Sequence, residues 1–294
     1  MASSPSSGSD DGPMRAALKQ AIAGMVPLLK DKLYDVQPPA DGALEPFGVI
    51  SFGEELWKSS WAGYRQVIRL KLYAGSAGMD QADAWSADLA EGLHRRRIAS
   101  GNERPFRLYY LGSREGDRVE AASGQVYRTL RFGMYIPEAE MDGDAAATIT
   151  DDWLNALLSW TRGQLGDAWS VYPTAWPSGP ADTSVLWRMA GSETKMAGAS
   201  LYEIRRRFVG HVIGRNAVSE QRTAAALVEM LGSKVQLPMD TDARKHMSVS
   251  EVSSDLQADG FLDGQIQLTL VQRRVRPAEE AALIRSVDIH PILK

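Results

Sequence analysis

Two similar patterns of apolar and polar residues follow one another along this chain. Each half opens with apolar residues at every third or fourth position, the spacing that places them on one face of an α-helix. These residues are Leu18, Ile22, Val26, Leu29 and Leu33 in the first half, and Trp153, Leu154, Leu157, Trp160 and Leu165 in the second. We therefore expect a helix at the start of each half, with Pro27 bending the first one.

Strand patterns follow each opening helix in the same order. Alternating strands come first, then a second helix and a closing hairpin. The expected segments are strands 47–52 and 65–74, helix 80–96 and hairpin 106–136 in the first half, and strands 184–191 and 201–213, helix 219–231 and a hairpin ending at 275 in the second. Arg95, Arg96 and Arg97 should end helix 80–96, beside the negative end of its dipole.

Each half therefore has the order α-β-β-α-β-β. Strands with one polar face and adjacent hairpins favour an antiparallel sheet, here of about four strands, covered by two helices. The expected fold class is α+β, with two tandem similar domains.

The similarity of the halves extends to identical residues. GQVYRTLRFGMYIP at 124–137 and GQIQLTLVQRRVRP at 264–277 share five of fourteen positions. Further matches at a constant offset of 138 residues join 33–35 to 171–173, 86–93 to 224–231, and Phe47 to Val185. Ordered matches at four places favour a repeated domain over two unrelated ones.

The repeat divides the chain into five segments. Residues 1–13 are rich in Ser, Gly and Asp and are expected to be a disordered tail. The first domain spans 14–137, an acidic linker spans 138–149, and the second, diverged copy spans 150–277. Residues 278–294 lie outside the repeat and are expected to form a C-terminal interaction arm.

Composition and charge exclude several kinds of chemistry. The chain has no cysteine, which excludes disulfides, thiolate metal sites and cysteine nucleophiles. Its net charge of −4 gives no sign of tight, sequence-independent binding to nucleic acid. The longest apolar run, 21–29, is too short to cross a bilayer, so no membrane partner is expected.

Residues for catalysis or metal binding are not clustered in the sequence. The four histidines, His94, His211, His246 and His290, are widely separated, and no phosphate-binding loop or nucleophile elbow occurs. We therefore expect no enzyme activity, no cofactor and no metal ion.

Candidate functional residues are instead those suited to protein contacts. Trp57 and Trp61 lie among polar residues in 53–63, a segment expected to be a loop joining two strands. They either anchor a neighbouring subunit or fold back onto their own sheet.

The remaining candidates lie in charged loops, at a strand end and in the arm. The charged loop 112–124 either projects as an arm or is a flexible tip, and the arm 278–294 either adds a strand to a neighbour or packs on its own domain. The candidates in these segments are Arg114 and Arg118 in the loop, Arg273 and Arg274 at the strand end, and Ile289 and Ile292 in the arm.

The first half is similar to the tail terminator, or tail completion, proteins of tailed bacteriophages. The similarity lies in the opening helix and in LYDVQPPADGALEPFGVISFGEE, GYRQVIRLKLYA, SADLAEGLHRRRI and GQVYRTLRFGMYI. It spans residues 14–137 in order and spacing. The second half departs from the pattern, since Val-Tyr-Pro at 171–173 replaces the usual Val-Tyr-Asp.

This resemblance implies a structural virion protein, made in the bacterial cytoplasm and located in the phage tail or neck. Such proteins form a ring on the last ring of the tail tube, end its growth and offer a docking face to the head connector. The implied partners are further copies of the chain, the tube protein, the connector and, in a contractile tail, the sheath. Genomic DNA passes through the lumen without specific binding.

Two domains per chain allow two ring compositions, with six chains or with three. Six chains would place one domain on the tube and the other outside it, which the divergence of the second domain favours. Three chains would make a ring of six domains. Other functions to consider are a different ring-forming neck, baseplate or sheath-capping component, and an enzyme with a site between its domains.

Overall fold

The computed structural model describes residues 11–37, 46–75, 78–100, 103–113, 116–121, 124–137, 151–177, 180–240 and 245–277. The helices are α1 (Asp11–Met25), α2 (Met79–Leu93), α3 (Asp152–Leu165) and α4 (Ala217–Gly232). The strands of the first half are β1 (Leu33–Asp35), β2 (Phe47–Ser59), β3 (Gly63–Tyr73), β4 (Arg97–Ser100), β5 (Glu103–Tyr110), β6 (Asp117–Val119) and β7 (Val126–Ile136). Those of the second half are β8 (Ser170–Pro173), β9 (Ser184–Met196), β10 (Leu201–Ile213), β11 (Gln236–Asp240), β12 (Lys245–Ser254) and β13 (Ile266–Val275).

Several expected segments lie outside the described residues. These are the linker 138–149, the arm 278–294 and all but the last three residues of the tail 1–13. Helix α1 begins at Asp11, slightly before the expected first domain. It ends at Met25, and a separate 3₁₀ turn at Pro27–Leu29 follows it. The break is expected at a proline, which cannot donate the hydrogen bond that a continuing helix needs.

The two sheets have the same strand order, which confirms the α+β class with two tandem similar domains. The first is β1-β2-β3-β7-β5-β4, with β6 also paired to β7, and the second is β8-β9-β10-β13-β12-β11. The expectation of four antiparallel strands was too simple, because the sheets have seven and six strands and are mixed. Strands β1 and β8 run parallel to their neighbours. The missed edge strands have three to five residues, too few for alternation to be recognised.

Each sheet has one face covered by two helices, and several buried positions of α2 correspond to buried positions of α4 at the sequence offset of 138. Ser86, Leu89 and Leu93 are buried in α2, and their counterparts at the offset of 138, Ala224, Leu227 and Leu231, are buried in α4. Two positions differ: Thr223 is only partly buried where α2 has the buried Trp85, and Glu220 is buried at the position that Ala82 occupies in α2. A charge on a buried helix face needs a partner, and Glu220 finds it in the other domain.

A β-bulge gives the two sheets a common reference point. In the first sheet it follows Phe52 of β2, which pairs with Ile68 of β3. In the second it follows Met189 of β9, which pairs with Phe208 of β10. These two pairs are therefore equivalent positions of the two domains.

The closing strands are aligned differently in the sheets and in the sequence. Phe132 of β7 pairs with Ile68, and Leu268 of β13 pairs with Phe208. Phe132 is thus equivalent to Leu268, whereas the sequence match aligned it with Gln272. The sequence alignment is wrong by four residues. A shift of four keeps every side chain on the same face, because side chains alternate with a period of two.

Two further boundaries differ from the expected ones. Strand β2 continues through Trp57 to Ser59, so the segment expected to be a loop is mostly strand. Residues 54–58 of β2 are exposed, so this stretch lacks the buried face by which alternation reveals a strand. Helix α2 ends at Leu93, and Arg95 follows in the left-handed region at φ 62°. Arg95 therefore points away from the helix end and binds elsewhere.

The start of α3 provides a test of the second domain. Asp151 caps the helix by accepting from the backbone N–H groups of Trp153 and Leu154, and both its oxygens accept from Arg206 at 2.8 and 2.7 Å. Replacing Asp151→Ala removes the cap and leaves a half-buried guanidinium without its carboxylate. We expect a loss of about 2 kcal/mol in the free energy of unfolding, measured by urea denaturation.

Asp152→Ala is the matched control, because Asp152 is an exposed neighbour in the first turn. It should cost less than about 1 kcal/mol, through the helix dipole alone. Equal losses for the two variants would contradict the capping role.

Candidate functional site at the contact between the domains

The two domains touch through different ends. In each domain, we use the word head for the end at which α2 or α4 begins. We use the word tail for the opposite end, at which the same helix finishes. The tail of the first domain, with the β2–β3 turn, packs on the head of the second, with the β8–β9 and β12–β13 loops. Trp61 and Tyr135 come from the tail, and Trp176, Leu186 and Phe261 from the head.

Aromatic rings form the centre of this contact. The rings of Trp176 and Phe261 are stacked, with centroids 5.4 Å apart and planes at 15°. Tyr135 of the first domain lies 4.9 Å from Phe261. All three side chains are buried. Burial of rings of this size is worth roughly 2 kcal/mol each, so the contact joins the domains firmly.

Trp61 is the residue of the turn that reaches furthest into the second domain. Its indole N–H donates to the Leu262 carbonyl at 2.7 Å, and its own carbonyl accepts from the Trp176 N–H at 2.9 Å. The Arg188 guanidinium lies over its ring, 3.7 Å from the centroid. Burial of Arg188 lowers the pKa of its guanidinium, and the indole face supplies part of the compensating attraction.

His211 lies directly behind Arg188 and is completely buried. Its Nε2 accepts from Arg188 Nε at 2.9 Å, and its Nδ1 lies 3.1 Å from the Gly260 carbonyl, which it reaches as a donor. Burial, with the Arg188 charge as a further cause, lowers the pKa of His211 to about 3. The imidazole is neutral at physiological pH and both its nitrogens are engaged. It therefore serves to hold Arg188 under Trp61, not as an acid, a base or a metal ligand.

Polar pairs surround the aromatic centre. Arg95 binds the carboxylate of Glu220, which also accepts from Gln265. Arg107, itself buried, donates to the Pro180 carbonyl at 3.1 Å and lies 3.3 Å from Asp182. In each cross-domain ion pair the tail supplies the cation and the head the carboxylate.

The Tyr135 hydroxyl also contributes to the polar rim. It donates to Asp259 at 2.8 Å, and burial raises the pKa of the tyrosine, so that it remains a donor.

Among the candidate residues that lie in the described ranges, Trp61 is the one at this contact. Trp61 packs on the second domain of its own chain, so its expected role in a subunit contact stays a prediction. Trp57 is 57% exposed on β2. Arg118 is exposed on β6, and Arg273 and Arg274 are exposed on β13. Arg114, Ile289 and Ile292 lie outside the described residues.

Sequence reasoning missed the charged residues of the contact. Arg95, Arg188 and His211 carry no local motif, and their partners are far away in the chain. A signal existed only for Glu220, a carboxylate on the buried face of a helix whose counterpart has alanine.

The described residues offer no clear chemical site besides this contact. No three or more His, Asp or Glu side chains in the described ranges are grouped as a metal ion would require. None of the helices there is long and apolar enough to cross a membrane. The lack of an enzyme activity, a cofactor and a metal ion stays a prediction.

Comparison with known proteins gives a similarity at the level of structure but none at the level of a sequence family. No protein family matches the chain, and no curated protein matches it either. The chain is similar to a solved chain from the virion of a native gene transfer agent particle. The sequence identity is 19%, over 45% of this chain and 100% of that one, and the TM-score is 0.33. Similarity at this level assigns no function by itself.

Trp61→Ala tests how strongly the contact couples the domains. The change removes a partly buried ring, a hydrogen bond and the surface on which Arg188 rests. We expect a loss of about 3 kcal/mol and a split or broadened urea transition, because the domains then unfold less cooperatively. Trp57→Ala, which removes an exposed ring, should cost less than about 1 kcal/mol. Similar losses for both would contradict the coupling role of Trp61.

The buried imidazole predicts a pH dependence of stability. The folded pKa of His211 is about 3, below the usual 6.5 of an unfolded histidine. The unfolded chain therefore binds a proton first, and stability falls as the pH drops from 6.5 toward 3, by about 1.4 kcal/mol per unit. Between pH 7 and 5 the wild type should lose about 2 kcal/mol more than His211→Gln in urea denaturation. Parallel losses would show that other groups control the acid response.

Proposed function

We propose that this chain is a structural virion protein that forms a ring on a phage tail tube, ends its growth and joins the tail to the head connector. The proposal has two supports. Residues 14–137 resemble tail terminator proteins, and the two domains of the chain contact each other in a manner suited to a ring.

The head-to-tail contact of the domains is the observation that carries the proposal. The contact joins the tail of the first domain to the head of the second domain, so the two contacting surfaces are different. Such a contact, when repeated, generates closed rings or open filaments, whereas a contact between identical surfaces stops at a pair. The head of the first domain and the tail of the second domain remain available for contacts with further copies of the chain.

The sheet edges fit a protein at the end of an assembly. The outermost strands β1, β4, β8 and β11 have only three to five residues. Short edge strands offer few free backbone groups, which limits open-ended pairing with further strands. A protein that ends the growth of a tube requires such edges on the face away from the tube.

The proposed partners are further copies of the chain, the tail tube protein and the head connector, with the sheath as a third partner in a contractile tail. Genomic DNA would pass through the lumen without specific contacts. The C-terminal segment 278–294 leaves from the tail of the second domain, where β13 ends, and is proposed as an arm toward one of these partners. The proposed location is the virion.

Tube length measures the capping function directly. Adding the purified protein to polymerising tube protein should shorten the tubes in proportion to its concentration, and negative-stain images should show a ring at one tube end. Asp152→Ala, which changes an exposed residue of α3, should act like wild type, whereas Trp61→Ala should cap poorly because its domains are less firmly joined. Rings that never bind tubes would favour another neck or baseplate component. A protein that forms no rings would contradict the proposal.

A further inference from the structure

The free ends of the chain carry the same kinds of surface as the two ends that already meet inside it. The equivalent pairs next to the β-bulges, Ile68 with Phe132 and Phe208 with Leu268, relate each position of one sheet to the other. The contact inside the chain therefore predicts which residues a second contact of the same kind would use.

The tail of the second domain has an open groove where the tail of the first is filled. Arg65 and Tyr135 pair across β3 and β7, and the equivalent pair in the second sheet is Arg205 and Val271. Phe261 of the second domain covers Tyr135. Val271, by contrast, lines a groove of about 640 Å³ on the sheet face away from the helices. The groove is also lined by Arg205, Lys245, Arg273 and Glu203, and the Glu203 carboxylate accepts from both Arg205 and Arg273.

The head of the first domain has an aromatic cluster at the position of the docking surface on the second. Tyr34 and Val49 pair across β1 and β2, as Tyr172 and Leu186 pair across β8 and β9. Around Val49 gather Phe47, Tyr73 and Tyr127, of which Phe47 and Tyr73 are stacked at 4.3 Å. The two heads thus share a cluster on the same face. Phe47, Val49 and Tyr73 are buried without a contact from the second domain, so docking at the first head would meet the rim of the cluster.

The charges of the free ends are complementary and have the same polarity as those of the contact inside the chain. There, Arg95 at the end of α2 binds Glu220 in the first turn of α4. At the free tail the exposed cations are Lys234, which follows the end of α4, and Lys245, which flanks the groove. Arg273 is also exposed there, but it binds Glu203 at 3.0 Å. At the free head the first turns of α2 carry the exposed carboxylates Asp80 and Asp83, the latter bound to Arg128.

We propose that the head of the first domain docks on the tail groove of the second domain in another copy of this chain, repeating the contact between the two domains. Asp80 and Asp83 then lie near Lys234 and Lys245. The proposal rests on the proposed ring and specifies its subunit contact. Every junction around the ring, within a chain or between chains, is then of one kind. A ring of six such positions is filled by three chains.

Charge reversal tests this contact on the full chain. The tail variant is Lys234→Glu with Lys245→Glu, and the head variant is Asp80→Lys with Asp83→Lys. Each should weaken assembly at least about tenfold in concentration, because like charges then face each other across every junction between chains. Native mass spectrometry and light scattering measure assembly against the chain mass of 32.2 kDa.

Combining the four changes in one chain should restore assembly, because every junction regains opposite charges with reversed sign. Asp88→Lys and Arg222→Glu are matched controls, since both side chains are exposed on helices, away from the free ends. Their assembly should equal that of wild type. Thermal unfolding of each variant monitors the fold and the contact inside the chain.

Three outcomes would overturn the inference. Rings that resist both variants would show that subunits meet elsewhere, and tube capping by those rings would leave the proposed function intact. Assembly lost in all variants, including the fourfold one, with normal unfolding would show that charge pairing between these ends is not the contact. A wild-type protein that remains a single chain at high concentration would overturn both proposals.

Discussion

The docking of the Trp61 turn on the second domain is the interaction on which the arrangement of the whole chain depends. Its ring lies over Arg188, its indole N–H and its carbonyl are both bonded, and Trp176 and Phe261 close the space around it. Two sheets that could each fold around their own core are thereby held as one body. Because the turn belongs to one end of its domain, the contact also gives the chain a direction.

The electrostatics of this contact depend on a histidine that stays neutral. An imidazolium at His211 would lie beside the Arg188 guanidinium without water to separate the charges, which is costly in a buried site. The low pKa of His211 and its bond to the Gly260 carbonyl keep the acceptor nitrogen facing Arg188. The charge of Arg188 is thus placed against the indole face and held there by a neutral partner.

The sign of the charges at the head and tail of each domain connects the fold with the proposed assembly. The cross-domain ion pairs of Arg95 with Glu220 and of Arg107 with Asp182 have the cation on the tail. The free tail retains cations around an open groove, and the free head retains carboxylates beside an aromatic cluster. Repetition of one directional contact is a simple route from a two-domain chain to a ring, since different surfaces meet at each junction.

The sequence alone predicts the α+β class, the two similar halves and the helical register, because the spacing of residues such as Leu89 and Leu93 is repeated by Leu227 and Leu231. It could not determine the short parallel edge strands or the register of the closing strands, where a shift of four leaves the pattern of faces unchanged. It also selected Trp61 but not its partners. The contacts of Arg188, His211 and Glu220 form only when folding brings distant segments together. Whether a charged side chain is buried and paired depends on residues that are distant in the sequence, and the local spacing of residues does not reveal them.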